Sequence, residues 1–142
     1  MILDVNVLVY AVDDTASQCK VARKWIERNL TGNSRIGIPW QTICGFIRIV
    51  TNPRIYNQPL TGEQAWAIMD GWLASPVVWV PPATERTASI FKSLMLDAGL
   101  SGARVMDAAL AAVAIEHGVP IVSVDSDFAA FPGLRVINPF EG

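Results

Sequence analysis

Four aspartates stand among apolar neighbours, where an ionised carboxylate is hard to accommodate. Asp4 closes the run Met1-Ile2-Leu3. Asp107 interrupts Val105-Met106-Asp107-Ala108-Ala109. Asp125 and Asp127 follow directly on Ile121-Val122-Ser123-Val124. A buried carboxylate needs a cation or several hydrogen-bond donors beside it. Carboxylates from separate segments, with a single histidine in the chain, point to one divalent-metal site. Hard oxygen ligands favour Mg²⁺ or Mn²⁺ over Zn²⁺. Plainer roles stay open for three of them. Asp107 can serve a helix dipole, and Asp125 or Asp127 can cap the turn Asp125-Ser126-Asp127. Asp4, at the end of an apolar strand, has no such simple alternative.

Other chemistries find little support. A Ser-His-Asp triad would have to use His117, which sits in Glu116-His117-Gly118 and reads as the last turn of a glycine-capped helix. There is no HExxH and no Cys/His zinc spacing. Two cysteines make neither a disulfide framework nor a cysteine zinc site, and Cys19 and Cys44 read as small core residues. The length of 142 residues fits one domain spanning 1–142. At 51% hydrophobic and 17% charged residues the chain is too apolar to be disordered. A net charge of −2 argues against a basic nucleic-acid binder. It does not exclude nucleic-acid chemistry, because a carboxylate metal site itself lowers the charge. With no basic leader and no apolar run of the ~18 residues a span requires, the expectation is a cytoplasmic protein without a membrane segment.

The elements that must position the aspartates alternate along the chain. Short apolar strands are predicted over 2–4, 35–38, 77–80, 120–124 and 134–137. Helices are predicted over 6–12, 17–30, 40–50, 61–73, 84–98 and 104–116. Thr61 with Gln64 reads as a capping box, and Gly99 as a helix stop. This order predicts an α/β fold with a mostly parallel sheet covered by helices. Ligands of such sheets bind beyond the carboxyl ends of the strands, where Asp4, Asp125 and Asp127 fall.

Three segments in order resemble the PIN-domain nucleases. They are Leu3-Asp4-Val5-Asn6-Val7-Leu8, then Asp107-Ala108-Ala109-Leu110-Ala111-Ala112 with Glu116-His117-Gly118, then Ser123-Val124-Asp125-Ser126-Asp127-Phe128. The stretch Pro39-Trp40 with Phe46-Ile47-Arg48-Ile49-Val50-Thr51-Asn52-Pro53 is similar to the VapC toxin branch of that family. So is the ending Phe131-Pro132-Gly133-Leu134 with Asn138-Pro139. The likeness runs through almost the whole chain. It implies a three-layer α/β/α PIN fold and a Mg²⁺- or Mn²⁺-dependent endoribonuclease. Such an enzyme is the toxin of a type II toxin–antitoxin pair. It cuts structured RNA, commonly tRNA or rRNA, and arrests translation. The resemblance also implies a homodimer and a VapB-like antitoxin that blocks the site and anchors the complex on operator DNA.

Carried over by position, Asp4 and Asp107 match the core metal ligands and Asp125 the next acidic position. Asp127 matches a variable fourth member of the catalytic set. Asn6 and Ser123 match positions that hydrogen-bond the carboxylates or hold water. Metal-assisted attack by water needs no histidine base, which suits this sequence.

One departure stands out. The family usually carries a further carboxylate on the helix predicted over 40–50, but no Asp or Glu occurs between Glu27 and Glu63. Gly45, or Thr42 a turn earlier, occupies the expected place. A second reading is therefore a catalytically weak PIN-like module that binds RNA or a partner. A third is another metal phosphohydrolase on a small α/β fold. Arg48 either pairs with a carboxylate near the site or contacts RNA or antitoxin. Lys20, Arg23, Lys24 and Arg28 form either a solvated helix face or a phosphate-contacting stripe. Trp25, Trp66 and Trp72 read as core or partner-facing surface.

Overall fold

Successive residues of a strand face opposite sides of a sheet, and that alternation divides this molecule into layers. The computed structural model describes residues 1–141. Among these, five parallel strands lie in the order β3-β2-β1-β4-β5. They are β1 (Ile2–Leu3), β2 (Ile36–Gly37), β3 (Val78–Trp79), β4 (Ile121–Val122) and β5 (Val136–Ile137). Leu3 and Val122 face one side, with Ile36 and Ile38, and meet α1 (Val5–Val12), α2 (Cys19–Leu30), α3 (Trp40–Val50) and α4 (Gly62–Leu73). Ile2 and Ile121 face the other, and meet α5 (Glu85–Ala98) and α6 (Arg104–Glu116). The result is the expected three-layer α/β/α arrangement.

The two helical layers are built differently. The α1–α4 side is filled by bulky groups such as Phe46, Met69, Ile26 and Ile43. The α6 face offers Ala108, Ala111, Ala112 and Ala114, so that helix lies close against the sheet. Gly37 points to the same side. A Cβ there would stand 2.5 Å from Ile2 Cδ1 and 2.8 Å from Pro81 Cγ, so no larger residue fits without displacement. Glu116 accepts hydrogen bonds from the Thr84 and Thr87 hydroxyls, which ties α6 to the start of α5.

Local signals place the helix ends. Thr61 and Gln64 form the reciprocal capping box of α4. Gly99 ends α5 with φ of 61°, a conformation other residues resist. The paired strands are shorter than the predicted segments, although ladder bonds continue past them. Asp4 N–H donates to Val122 O at 2.9 Å, and Ser123 N–H donates to Ile137 O at 3.0 Å. The segment expected to be a plain turn after β4 winds into a short 3-10 helix, Ser126–Ala130.

Cys44 corrects the reading of both cysteines as core residues. Cys19 is buried, but Cys44 is exposed. The buried face of α3 is made by Thr42, Ile43, Phe46 and Val50, and Cys44 falls outside it. The basic stripe on α2 is also interrupted. Arg23 turns back to donate to Ala11 O and to pair with Asp14 at 3.1 Å, fastening α2 to the end of α1.

Candidate active site

The sheet order reverses between β1 and β4: the chain builds outward on one side through β2 and β3, then returns to add β4 and β5. The crevice beyond the carboxyl ends at such a reversal is the usual ligand position in open α/β sheets. Asp4 leaves β1 there, and Ser123 and Asp125 leave β4.

Asp4 is the best-seated of the four aspartates. Its backbone is extended and its side chain caps α1, with Oδ1 accepting from Val5 N–H at 2.7 Å. Oδ2 accepts from Ser123 Oγ at 2.6 Å. The Ser123 hydroxyl then accepts from Asn6 Nδ2 at 3.2 Å and from Asp125 N–H at 3.0 Å. One donor and two lone pairs are all used, so this hydroxyl has a single orientation. Ser123 thus reaches Asp4 directly, and Asn6 reaches it through the Ser123 hydroxyl. Asp4 is 9% exposed and Ser123 1%. Burial pushes the Asp4 carboxyl above its ordinary range, the Asp125 charge adds to this, and the Ser123 and Val5 donors oppose it.

Asp107 reaches the crevice from the first turn of α6. Its carboxyl is also raised, first by burial and then by the charge of Asp125, with smaller contributions from Asp4 and Asp127. Arg104 opposes the rise. The four aspartates thus sense one another, although they come from three separated segments. Asp125 keeps part of its plainer role: Oδ1 accepts from Asp127 N–H at 2.9 Å and caps the 3-10 helix. Asp127 lies at the outer edge, with its side chain 57% exposed.

Arg104 is the member that the sequence reading missed. It pairs with Asp107 at 3.2 Å and with Asp127 at 3.4 Å. The three-residue spacing to Asp107 on one helix was the available signal, together with a cation in a first turn, where the dipole disfavours it. The approach to Asp127 needed the fold. Among the described residues, no three His, Cys, Asp or Glu groups are gathered tightly enough to enclose an ion.

Other candidates fall elsewhere. His117 caps the far end of α6, about 15 Å along the helix from Asp107 at ~1.5 Å per residue. Its ring meets the edge of Trp79, and Nε2 lies 3.3 Å from Pro82 O. Arg48 is exposed and makes no ion pair among the described residues. On α3, Thr42 donates to Leu3 O at 2.7 Å, and a Cβ on Gly45 would stand 3.3 Å from Val5 Cγ2. The positions where the family carboxylate is expected therefore adjoin Asp4 but bring no charge to it. Trp72 packs edge-on against Phe46, and Trp66 is 41% exposed. A cleft of about 600 Å³ between Asp13–Thr15 and the segment after α3 contains none of the four aspartates.

Comparison with known proteins identifies the family. The PIN-domain profile matches residues 1–134. The chain is 38% identical to ribonuclease VapC37 of Mycobacterium tuberculosis over 138 residues, covering 97% of this chain and 96% of that protein. It is 34% identical to ribonuclease VapC33 of the same species over 139 residues, covering 98% and 97%. Among solved structures, VapBC2 of Rickettsia felis bound to a promoter DNA fragment superposes with a TM-score of 0.69 at 19% identity, covering 96% of both chains. The sarcin–ricin loop cleaving toxin VapC20 of M. tuberculosis superposes with a TM-score of 0.65 at 16% identity, covering 94% and 98%. A family profile that spans residues 1–134 and relatives 34–38% identical over nearly the whole length make this chain a member of the PIN-domain family and, within it, of the VapC ribonucleases.

Proposed function

We propose that the chain is the toxin of a type II toxin–antitoxin pair. In this reading it is a divalent-metal-dependent endoribonuclease that cuts structured RNA, of the tRNA or rRNA class, in the cytoplasm and arrests translation. The observation that carries the reading is the Asp4 seat: a buried carboxylate, raised by burial and by a like charge, facing Asp107 and Asp125 across the sheet reversal. Such mutual repulsion is relieved by a cation.

The donor set fits Mg²⁺ or Mn²⁺. All candidate ligands are carboxylate oxygens, and Mg²⁺ keeps several of its own waters when bound. A set too open to enclose a bare ion therefore still suits a hydrated one. Asp4, Asp107 and Asp125 would hold it. When bound, it supplies positive charge against the scissile phosphate and acidifies the attacking water. The chain's own residues do the positioning. Ser123 and Asn6 fix the Asp4 carboxylate, Asp125 shapes the turn that carries Asp127, and Arg104 balances the outer charge. Arg48, exposed and without an ion pair among the described residues, is available to RNA or to an antitoxin. A VapB-like antitoxin, supported by the VapBC complexes among the structural neighbours, and a homodimer complete the proposal.

The test is cleavage of tRNA and rRNA with Mg²⁺ or Mn²⁺, by wild type and by Asp4→Ala. Cleavage that stops with EDTA and in the variant is expected. Cleavage that persists in EDTA overturns the reading. A second reading, a weakly catalytic RNA- or partner-binding module, draws on Thr42 and Gly45 beside Asp4, where no carboxylate stands. Gly45→Glu distinguishes it: strong activity that appears only in this variant would mark the native chain as a degenerate nuclease.

A further inference from the structure

Arg104 is more firmly placed than an ordinary surface cation. Its guanidinium spans Asp107 and Asp127, at 3.2 and 3.4 Å. Nη2 also donates to Asp127 O at 3.4 Å, and Cζ lies 5.6 Å from the centre of the buried Phe131 ring. Four contacts from two segments hold one charge. Nε is buried and has no properly aligned acceptor, although Asp107 Oδ2 is near. The group is thus held between the two carboxylates by charge and shape rather than by an ideal forked pairing.

We propose that Arg104 is a tethered cation that fills the outer position of the acidic crevice. The site then accepts one divalent ion, at the inner carboxylates Asp4, Asp107 and Asp125, rather than two. The inference rests on the metal-site reading above and deepens it. A guanidinium is charged at every accessible pH, so its effect is permanent. Sharing Asp107 with Arg104 lowers the charge left for a metal, and occupying Asp127 removes the carboxylate that an outer ion would use. Arg104 is a positioning residue in this scheme, acting through Asp107 and Asp127.

Calorimetric titration of the full chain with Mn²⁺ alone tests this, comparing wild type with Arg104→Gln, Arg104→Lys and Asp4→Asn. Thermal melts in EDTA check that each is folded. Wild type is expected to bind one ion per chain. Arg104→Gln is expected to take up a second ion, or to bind the first about tenfold more tightly, the equivalent of one favourable charge contact. Arg104→Lys, which keeps the charge, is expected to bind a single ion as wild type does, and Arg104→Met, which also removes the charge, serves if the Gln variant does not fold. Equal stoichiometry and affinity in wild type and Arg104→Gln overturns the proposal, as does a wild type that binds two ions. If wild type binds none but Arg104→Gln binds one, the cation blocks the inner position as well, and the one-ion proposal is overturned. If neither binds Mn²⁺, both this proposal and the metal reading fail. Loss of binding in Asp4→Asn with no effect of Arg104→Gln leaves the metal reading standing and removes this one alone.

Discussion

Asp4 and Asp127 carry the same functional group at opposite edges of one crevice, and the chain holds them differently. Asp4 is buried, bonded through both oxygens, and braced by a hydroxyl with no freedom left. Asp127 is more than half exposed on a 3-10 turn, and its side chain is held by a single partner, Arg104. The inner carboxylate has a fixed position at the expense of an electrostatic strain. The outer one is open to solvent and held by one cation. A precise reaction geometry requires the first kind of support, whereas tuning of charge tolerates the second.

The largest effect should come from the inner edge. Asp4→Asn keeps the shape and removes the charge, and should lower RNA cleavage by about 10³-fold or more with the chain still folded. If Asp127→Asn costs as much activity, the contrast between the two edges is wrong. Ser123→Ala should come next. It frees Asp4 Oδ2 and leaves Asn6 and the Asp125 N–H without their acceptor. Cleavage should fall about 10- to 100-fold, and stability by about 1–3 kcal/mol in denaturant melts. A fully stable Ser123→Ala chain would show that the buried hydroxyl contributes nothing to the seat. Asp127→Asn should reduce activity less than about tenfold and leave stability nearly unchanged, as expected of a half-exposed pair.

The smallest effect is a difference in pH dependence in the metal-free chain. The Asp4 and Asp107 carboxyls are raised in the folded state, so the native protein holds their protons more tightly than the unfolded chain. Their favourable contribution is complete below the ordinary carboxylate pKa and is lost as pH rises through the raised values. Glu116 and Asp13 are lowered by hydroxyl donors, chiefly Thr84 and Thr15, and work in the opposite sense. The informative quantity is therefore wild type minus Asp4→Asn. In EDTA, the variant should gain in relative melting temperature as pH rises above the ordinary carboxylate range. Parallel curves would mean that Asp4 carries no strain.

Much of this arrangement was legible along the chain. The Thr61–Gln64 box, the Gly99 stop and the alternating strands depend on neighbours a few residues apart, and those signals are local. The aspartates at strand ends stood out because apolar surroundings leave a carboxylate few other uses. Cys44 was misread for the complementary reason. Apolar neighbours in sequence say that a helix has a buried face, but not which residue lies just outside it. Arg104 was passed over because the partner that sets it apart, Asp127, lies 23 residues away at the end of another strand.

Residue type and short-range spacing were enough to predict an α/β chain with four aspartates as its candidate chemistry, and the ordered motifs carried the family resemblance. They could not establish that β4 returns to lie beside β1. That pairing brings Ser123 to Asp4 across 119 residues of chain. It also brings isolated carboxylates close enough that the charge of Asp125 helps to raise the Asp4 and Asp107 carboxyls. The physical reason is range. Caps and turns are decided by the few hydrogen bonds a segment makes with itself. The charge and exposure of the site are decided by burial and by Coulomb forces between segments, which exist only after the sheet has closed around them.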